Sequence, residues 1–173
     1  LLAPAATAKL TVMHGYADVT SALVWIQADA PGPIRVSWRA EGSDREQAVT
    51  LDATASREYA VVARLSGLAP GSRASYRVEG DGDRREGVVR AQPYWREAKD
   101  APDITIAIGS CFFQDDDDPL FRTSLTGGEY GIFDAIAAKA PDVMLWLGDN
   151  VYLRRPDYFD PMAMAARYKR QRG

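Results

Sequence analysis

Histidine and cysteine are almost missing from this chain. Its 173 residues include one of each, His14 and Cys111. A single cysteine cannot close an internal disulfide, so cysteine usage does not report the redox compartment. A single histidine excludes a metal centre built mainly from this chain's own imidazoles. No apolar run approaches the roughly 20 residues that a membrane-crossing helix needs. Neither sign of charge dominates: 21 Lys and Arg stand against 24 Asp and Glu, for a net charge of −3. With no basic stripe, nucleic acid is not expected as a partner. The length fits one large domain or two small ones.

What is present falls into two rhythms. Up to about residue 95 the chain alternates with a period of two. Ile34, Val36, Trp38 and Ala40 interleave with Arg35, Ser37, Arg39 and Glu41, the pattern of a strand with one buried and one wet face. Residues 22–27, 59–65, 75–79 and 87–92 read as further strands. Turn-forming stretches separate them: Pro31-Gly-Pro33, Glu41-Gly-Ser-Asp44, Ala69-Pro-Gly-Ser72 and Gly80-Asp-Gly-Asp83. Short strands at this spacing predict a β-sandwich. Trp25 and Trp38 are expected in its core, and His14 near a strand end. The Leu68-x-Pro70-Gly71 turn followed by Tyr76 resembles fibronectin type III domains, where such a turn precedes a strand with a corner tyrosine.

Residues 94–102, bounded by prolines, read as a linker. Beyond them the period changes. Ile104, Ile106 and Ile108 predict a strand. Ile132, Phe133, Ile136, Ala137 and Ala140 recur at helical spacing up to Pro141, and residues 143–147 predict the next strand. This is a βαβ unit with a parallel sheet. Asp160-Pro161 reads as an N-cap and first helical residue. One such unit cannot bury both faces of its sheet. The second domain is therefore expected to be completed by further polypeptide. The opening Leu1–Ala8, with Ala6-Thr7-Ala8 as a small-x-small site, resembles the tail of a signal peptide; a disordered Ala/Pro linker is the alternative.

The chemistry gathers at two strand ends. Asp103–Cys111 and Asp142–Tyr152 each read as a buried strand that delivers polar groups at its carboxyl end, where open α/β sheets bind ligands. The first delivers Cys111. The second delivers Asp149 after a turn-permitting Gly148, with Tyr152 three residues on. Thiolate, carboxylate and phenolate suit a trivalent or Lewis-acidic metal, and a carboxylate there can bridge two cations about 3.5–4 Å apart. The alternative for Cys111 is a small buried hydrophobe. Asn150 and Arg154 are candidates for phosphate binding, since arginine pairs with phosphate bidentately. Arg155 could steer phosphate in the same way, and for both arginines an ordinary surface position is the alternative. The Asp115–Asp118 run reads as a solvated acidic loop, with calcium binding as its alternative. Gly127-Gly128 reads as flexible loop, with a helix N-terminus open to an anion as its alternative.

Ile108-Gly-Ser-Cys111, Tyr130-Gly-Ile-Phe-Asp-Ala-Ile136 and Leu147-Gly-Asp-Asn-Val-Tyr152 together resemble the PhoD-type alkaline phosphatases, a branch of the calcineurin-like metallophosphoesterases. The resemblance implies an α+β two-domain chain. A fibronectin III/Ig-like β-sandwich (9–93) would follow a leader or linker (1–8). A linker (94–102) would then lead to the start of an α/β metallophosphoesterase domain of αββα architecture (103–173). It implies metal-dependent hydrolysis of phosphate mono- or diesters, with Fe3+ and Ca2+ as cofactors; other divalent metals are compatible. Cys111, Asp149 and Tyr152 would be ligands of the ferric ion, Asp149 bridging toward calcium. The family's later Trp-Asp-Asp-His block has no counterpart here. The rest of the ligand set and the general acid or base are thus expected from further polypeptide of the same enzyme, and these residues alone are expected to be inactive. A periplasmic or secreted location is implied. The competing expectation is a non-catalytic β-sandwich interaction module.

Overall fold

The computed structural model describes residues 10–80, 82–97, 101–114 and 130–172. The stretch Leu1–Ala8, the acidic run 115–118 and Gly127-Gly128 lie outside the described residues. The chain divides into two compact units, Leu1–Ala101 and Pro102–Gly173.

The first unit is a sandwich of two antiparallel sheets. Its seven strands are β1 (Thr11–Ala17), β2 (Ser21–Gln27), β3 (Gly32–Ala40), β4 (Gln47–Ala53), β5 (Ala60–Ser66), β6 (Arg73–Gly80) and β7 (Asp83–Arg90). One sheet runs β1-β2-β5 and the other β4-β3-β6-β7. Alternation sets which side chains meet between them. Val24 and Ile26 of β2, Ala63 and Leu65 of β5, Ile34, Val36 and Trp38 of β3, and Ala74, Tyr76 and Val78 of β6 form one buried cluster. Fully burying a side chain of the Val, Leu or Ile size stabilises by about 1.5–3 kcal/mol, so this core is the main source of the unit's stability.

Trp38 is core, and its indole N–H donates to the Ser66 carbonyl at 3.0 Å. Trp25 is not core. Val24 and Ile26 take the inward positions of β2, so the residue between them faces out, and Trp25 is only half-buried. The corner turn forms as its residues require. Gly71 takes a φ of 75°, which glycine adopts without cost, and Leu68 is buried beneath it. Tyr76 pairs across strands with Gly87, where an added Cβ would lie 2.4 Å from the tyrosine oxygen. The ring crosses β7 where no side chain stands, and its hydroxyl meets His14 Nε2 at 2.9 Å. Burial lowers the His14 pKa and raises that of Tyr76.

The second unit holds β8 (Ile106–Gly109), α1 (Gly131–Ala138), β9 (Val143–Trp146) and α2 (Pro161–Arg172). β8 and β9 pair in parallel, Ile106 opposite Val143 and Ile108 opposite Leu145. Asp160 caps α2, its Oδ1 accepting from the Met162 amide at 2.8 Å with proline at the first position. One sheet face carries α1: Phe133 packs near Trp146, with ring centroids 6.2 Å apart, and edge-on to Phe112 at 4.8 Å. The opposite face carries Ile106, Ile108, Val143 and Leu145, which are 53, 64, 47 and 46% exposed. The two strands expected to be buried are therefore not. Among the described residues helix covers one face only, and two strands are too narrow to shelter their own side chains.

Candidate metal centre

β8 and β9 end side by side, and their loops stay paired beyond the strands. The Leu147 amide donates to the Gly109 carbonyl at 2.8 Å, Cys111 to Gly148 at 3.2 Å, and Phe112 to Asp149 at 3.0 Å. These bonds bring Cys111 and Asp149 to one sheet edge. Gly148 has a φ of 123°, while Cys111 and Asp149 adopt left-handed φ values of 59° and 49°. Such a conformation in non-glycine residues costs about 1–3 kcal/mol and concentrates at functional sites. Here it turns both side chains off the strand line toward each other.

Two groups meet at one carboxylate oxygen. Asp149 Oδ2 accepts from the Tyr152 hydroxyl at 3.0 Å and lies 3.9 Å from the Cys111 sulfur. Hydrogen bonding with Cys111, and then with Asp149, holds the Tyr152 phenol well above its ordinary pKa. Cys111 and Asp149 are exposed, so the group is open to a ligand. Among the described residues no three His, Cys, Asp or Glu side chains gather as a metal-binding group; the third donor here is the phenol. Asn150 is exposed beside Asp149. Gln114, on the loop that leaves Cys111, has a buried Oε1 with no hydrogen-bond partner among the described residues. His14 belongs to the other unit and pairs with Tyr76.

Arg154 is held by this chain's own backbone and an aromatic ring. Its guanidinium donates to the Tyr152 carbonyl at 2.8 Å and to the Gln114 carbonyl at 3.0 Å, and lies 3.9 Å over the Phe113 ring. Phe113 in turn faces the Tyr152 ring at 5.5 Å. Below it, Asp157 is the one buried residue among the described residues of this unit. Its carboxylate accepts the Arg154 amide at 2.7 Å and pairs with Arg167 of α2 at 2.8 Å. Burial works against its charge, but the Arg167 and Arg154 bonds outweigh it and hold the carboxyl below its usual pKa. Gln171 of α2 also reaches the Phe112 carbonyl, at 3.3 Å. Sequence reading did not single out Phe113, Asp157 or Arg167. The one local signal was Arg154-x-x-Asp157, spaced like a capping box.

A family described as a domain of unknown function (DUF7800) matches residues 10–93, which lie within the sandwich unit. No curated protein matches the chain. Among solved structures, a structure of PhoD is similar at 20% identity with a TM-score of 0.62, over 82% of this chain and 27% of that one. The fold is therefore PhoD-related, and the chain spans about a quarter of that protein's length. The fibronectin type III domain of human collagen XX, residues P368–P466, aligns at 18% identity with a TM-score of 0.38, over 53% of this chain and all of that one.

Proposed function

We propose that Cys111, Asp149 and Tyr152 hold a metal in a centre for phosphate-ester hydrolysis. The observation that carries this reading is their meeting on one carboxylate oxygen, delivered by two parallel strand ends whose loops are bent there at backbone cost. The donor set fits a trivalent or Lewis-acidic cation. It combines a carboxylate oxygen, a phenol oxygen and a thiol, all within one ion's reach after small side-chain adjustments. Fe3+ with Ca2+ is the pair the resemblance to PhoD-type phosphatases suggests. When bound, it supplies Lewis acidity toward a phosphoryl oxygen.

This chain's own residues do the holding. Asp149, on which the other two groups meet, would hold the first cation and would share its carboxylate with a second. Cys111 and Tyr152 would each give up a proton on binding the metal. Asn150 adds an uncharged donor next to the centre for a phosphate oxygen. Three side chains are too few for a two-cation site. Further donors, and an acid or base for the ester, are needed beside these three. The test is metal uptake by the chain and by its Asp149→Asn variant, with hydrolysis of a chromogenic phosphate ester followed alongside. Metal uptake that Asp149→Asn leaves unchanged sinks the site. Turnover that Asp149→Asn leaves unchanged sinks the catalytic part of the reading.

A further inference from the structure

Arg154 lies two residues past the proposed ligand Tyr152 and binds backbone on both site loops. We propose that Arg154 is a positioning residue that locks the Cys111 loop to the Tyr152 loop and so presets the distance between the donors. The inference rests on the metal reading for its functional meaning, but its mechanical part stands on contacts alone.

The geometry is specific to a guanidinium. Nη1 bonds the carbonyl of Tyr152, a residue of the loop after β9. Nη2 bonds the carbonyl of Gln114, three residues past Cys111 on the loop after β8. The plane between them covers Phe113, whose ring is the neighbour of Tyr152's. One side chain thus bridges two backbone segments 38 residues apart in number, and stacks on the aromatic pair between them. A planar fork makes two bonds in fixed directions, whereas a lysine ammonium is a point charge that cannot span both carbonyls and stack. The backbone of Arg154 is itself fixed. Its amide donates to buried Asp157, and its carbonyl accepts the Asp157 amide at 2.9 Å. Asp157 is tied to α2 through Arg167. The chain of contacts runs from α2 through Asp157 and Arg154 to both site loops. Partners one step behind metal ligands fix their orientation, and losing one typically lowers metal affinity by about 10–100-fold.

This assignment is distinct from a charge that attracts phosphate. A phosphate-binding arginine acts only when the anion is present. A two-carbonyl lock acts without metal or phosphate, so it is read in their absence. Arg154→Lys is the decisive variant, and Arg155→Lys is its control.

Two readouts separate the lock from the metal site. The first needs no metal: amide exchange at Cys111 and Phe112, and the alkylation rate of the Cys111 thiol. Arg154→Lys is expected to speed all three several-fold while Arg155→Lys leaves them unchanged, with far-UV circular dichroism showing the fold retained. Unchanged exchange and alkylation in Arg154→Lys overturn the lock. The second uses Co2+ alone as a probe, read by thiolate-to-cobalt absorption and by protection of Cys111 from alkylation. Wild type is expected to bind, and Arg154→Lys to bind about 10–100-fold more weakly. Wild-type silence with Co2+ rejects the metal reading and the positioning role toward it. Equal Co2+ affinity in wild type and Arg154→Lys rejects the positioning role while leaving the metal site standing.

Discussion

Removing the Asp157 carboxylate should release α2 and leave the sandwich intact. Asp157 is 5% exposed, and its pair with Arg167 is the most buried salt bridge described here, the side chains being 7 and 14% exposed. Asp157→Ala leaves the Arg167 guanidinium facing a methyl group where its carboxylate stood, and it strips the Arg154 amide of its acceptor. Removing one partner of a buried pair costs about 3–5 kcal/mol. Slight exposure of Arg167 places this pair at about 3. The unit has little to set against such a loss. A unit of about 70 residues at the lower end of ordinary stability, about 0.05 kcal/mol per residue, has roughly 4 kcal/mol in all. None of its described apolar side chains is buried. A 12-residue helix is marginal by itself. The assay is hydrogen exchange followed by mass spectrometry, comparing peptides over 154–172 with peptides over 21–40. In Asp157→Ala the first set should exchange nearly as freely as unfolded chain, and the second should match wild type. Wild-type protection of α2 in this variant would refute the reasoning. Acid should do the same reversibly. The folded Asp157 pKa lies below its unfolded value of about 3.9. Its contribution is then complete above that pH and is lost as pH falls through the depressed folded value.

Gly87→Ala should destabilise the sandwich by about 1–3 kcal/mol in urea unfolding, because its Cβ displaces the Tyr76 ring; removing that ring in the same chain should cancel most of the loss, and additive effects would count against the contact. His14, its folded pKa lowered by burial, contributes stability that is full above about pH 6.5 and is lost as pH falls through the lowered value. The urea midpoint should therefore fall on acidification more in wild type than in His14→Gln, and parallel pH curves would contradict this. Asp149→Asn should cut Co2+ affinity more than Tyr152→Phe does, since Oδ2 of Asp149 is where the other two donors meet; the reverse order in a spectroscopic titration would relocate the centre.

The sandwich was readable because period two is enforced wherever one strand face is buried. β3 and β6 show it plainly, with Ile34, Val36 and Trp38 alternating against arginines and serine. Residue type misleads where it departs from that rule. Trp25 suggests core by type, although Val24 and Ile26 on either side take the inward positions. β1 and β4 carry a weaker signal. In β4, Ala48, Thr50 and Asp52 are exposed while Gln47, Val49 and Leu51 are only half-buried, so the contrast that marks a core strand is weak. β1 carries Gly15 and an irregular register between His14 and Ala17, which break its alternation.

The donors and their supports were unequally legible for a physical reason. Cys111, Asp149 and Tyr152 could be named because rare or chemically pointed residues stood just past apolar runs, and parallel strands bring their carboxyl ends together. Nothing comparable marks Arg154. An arginine near a suspected phosphate site has an obvious role in sequence, which is to bind the phosphate. Its role in the fold depends on where two backbone carbonyls lie, and carbonyls are invisible in a residue list. Asp157 was hidden in the same way, as one acidic residue among 24 Asp and Glu, set apart only by burial. A sequence exposes the groups that can do chemistry. The backbone acceptors and the buried ion pair around them are set by how the chain folds, and no residue type announces them.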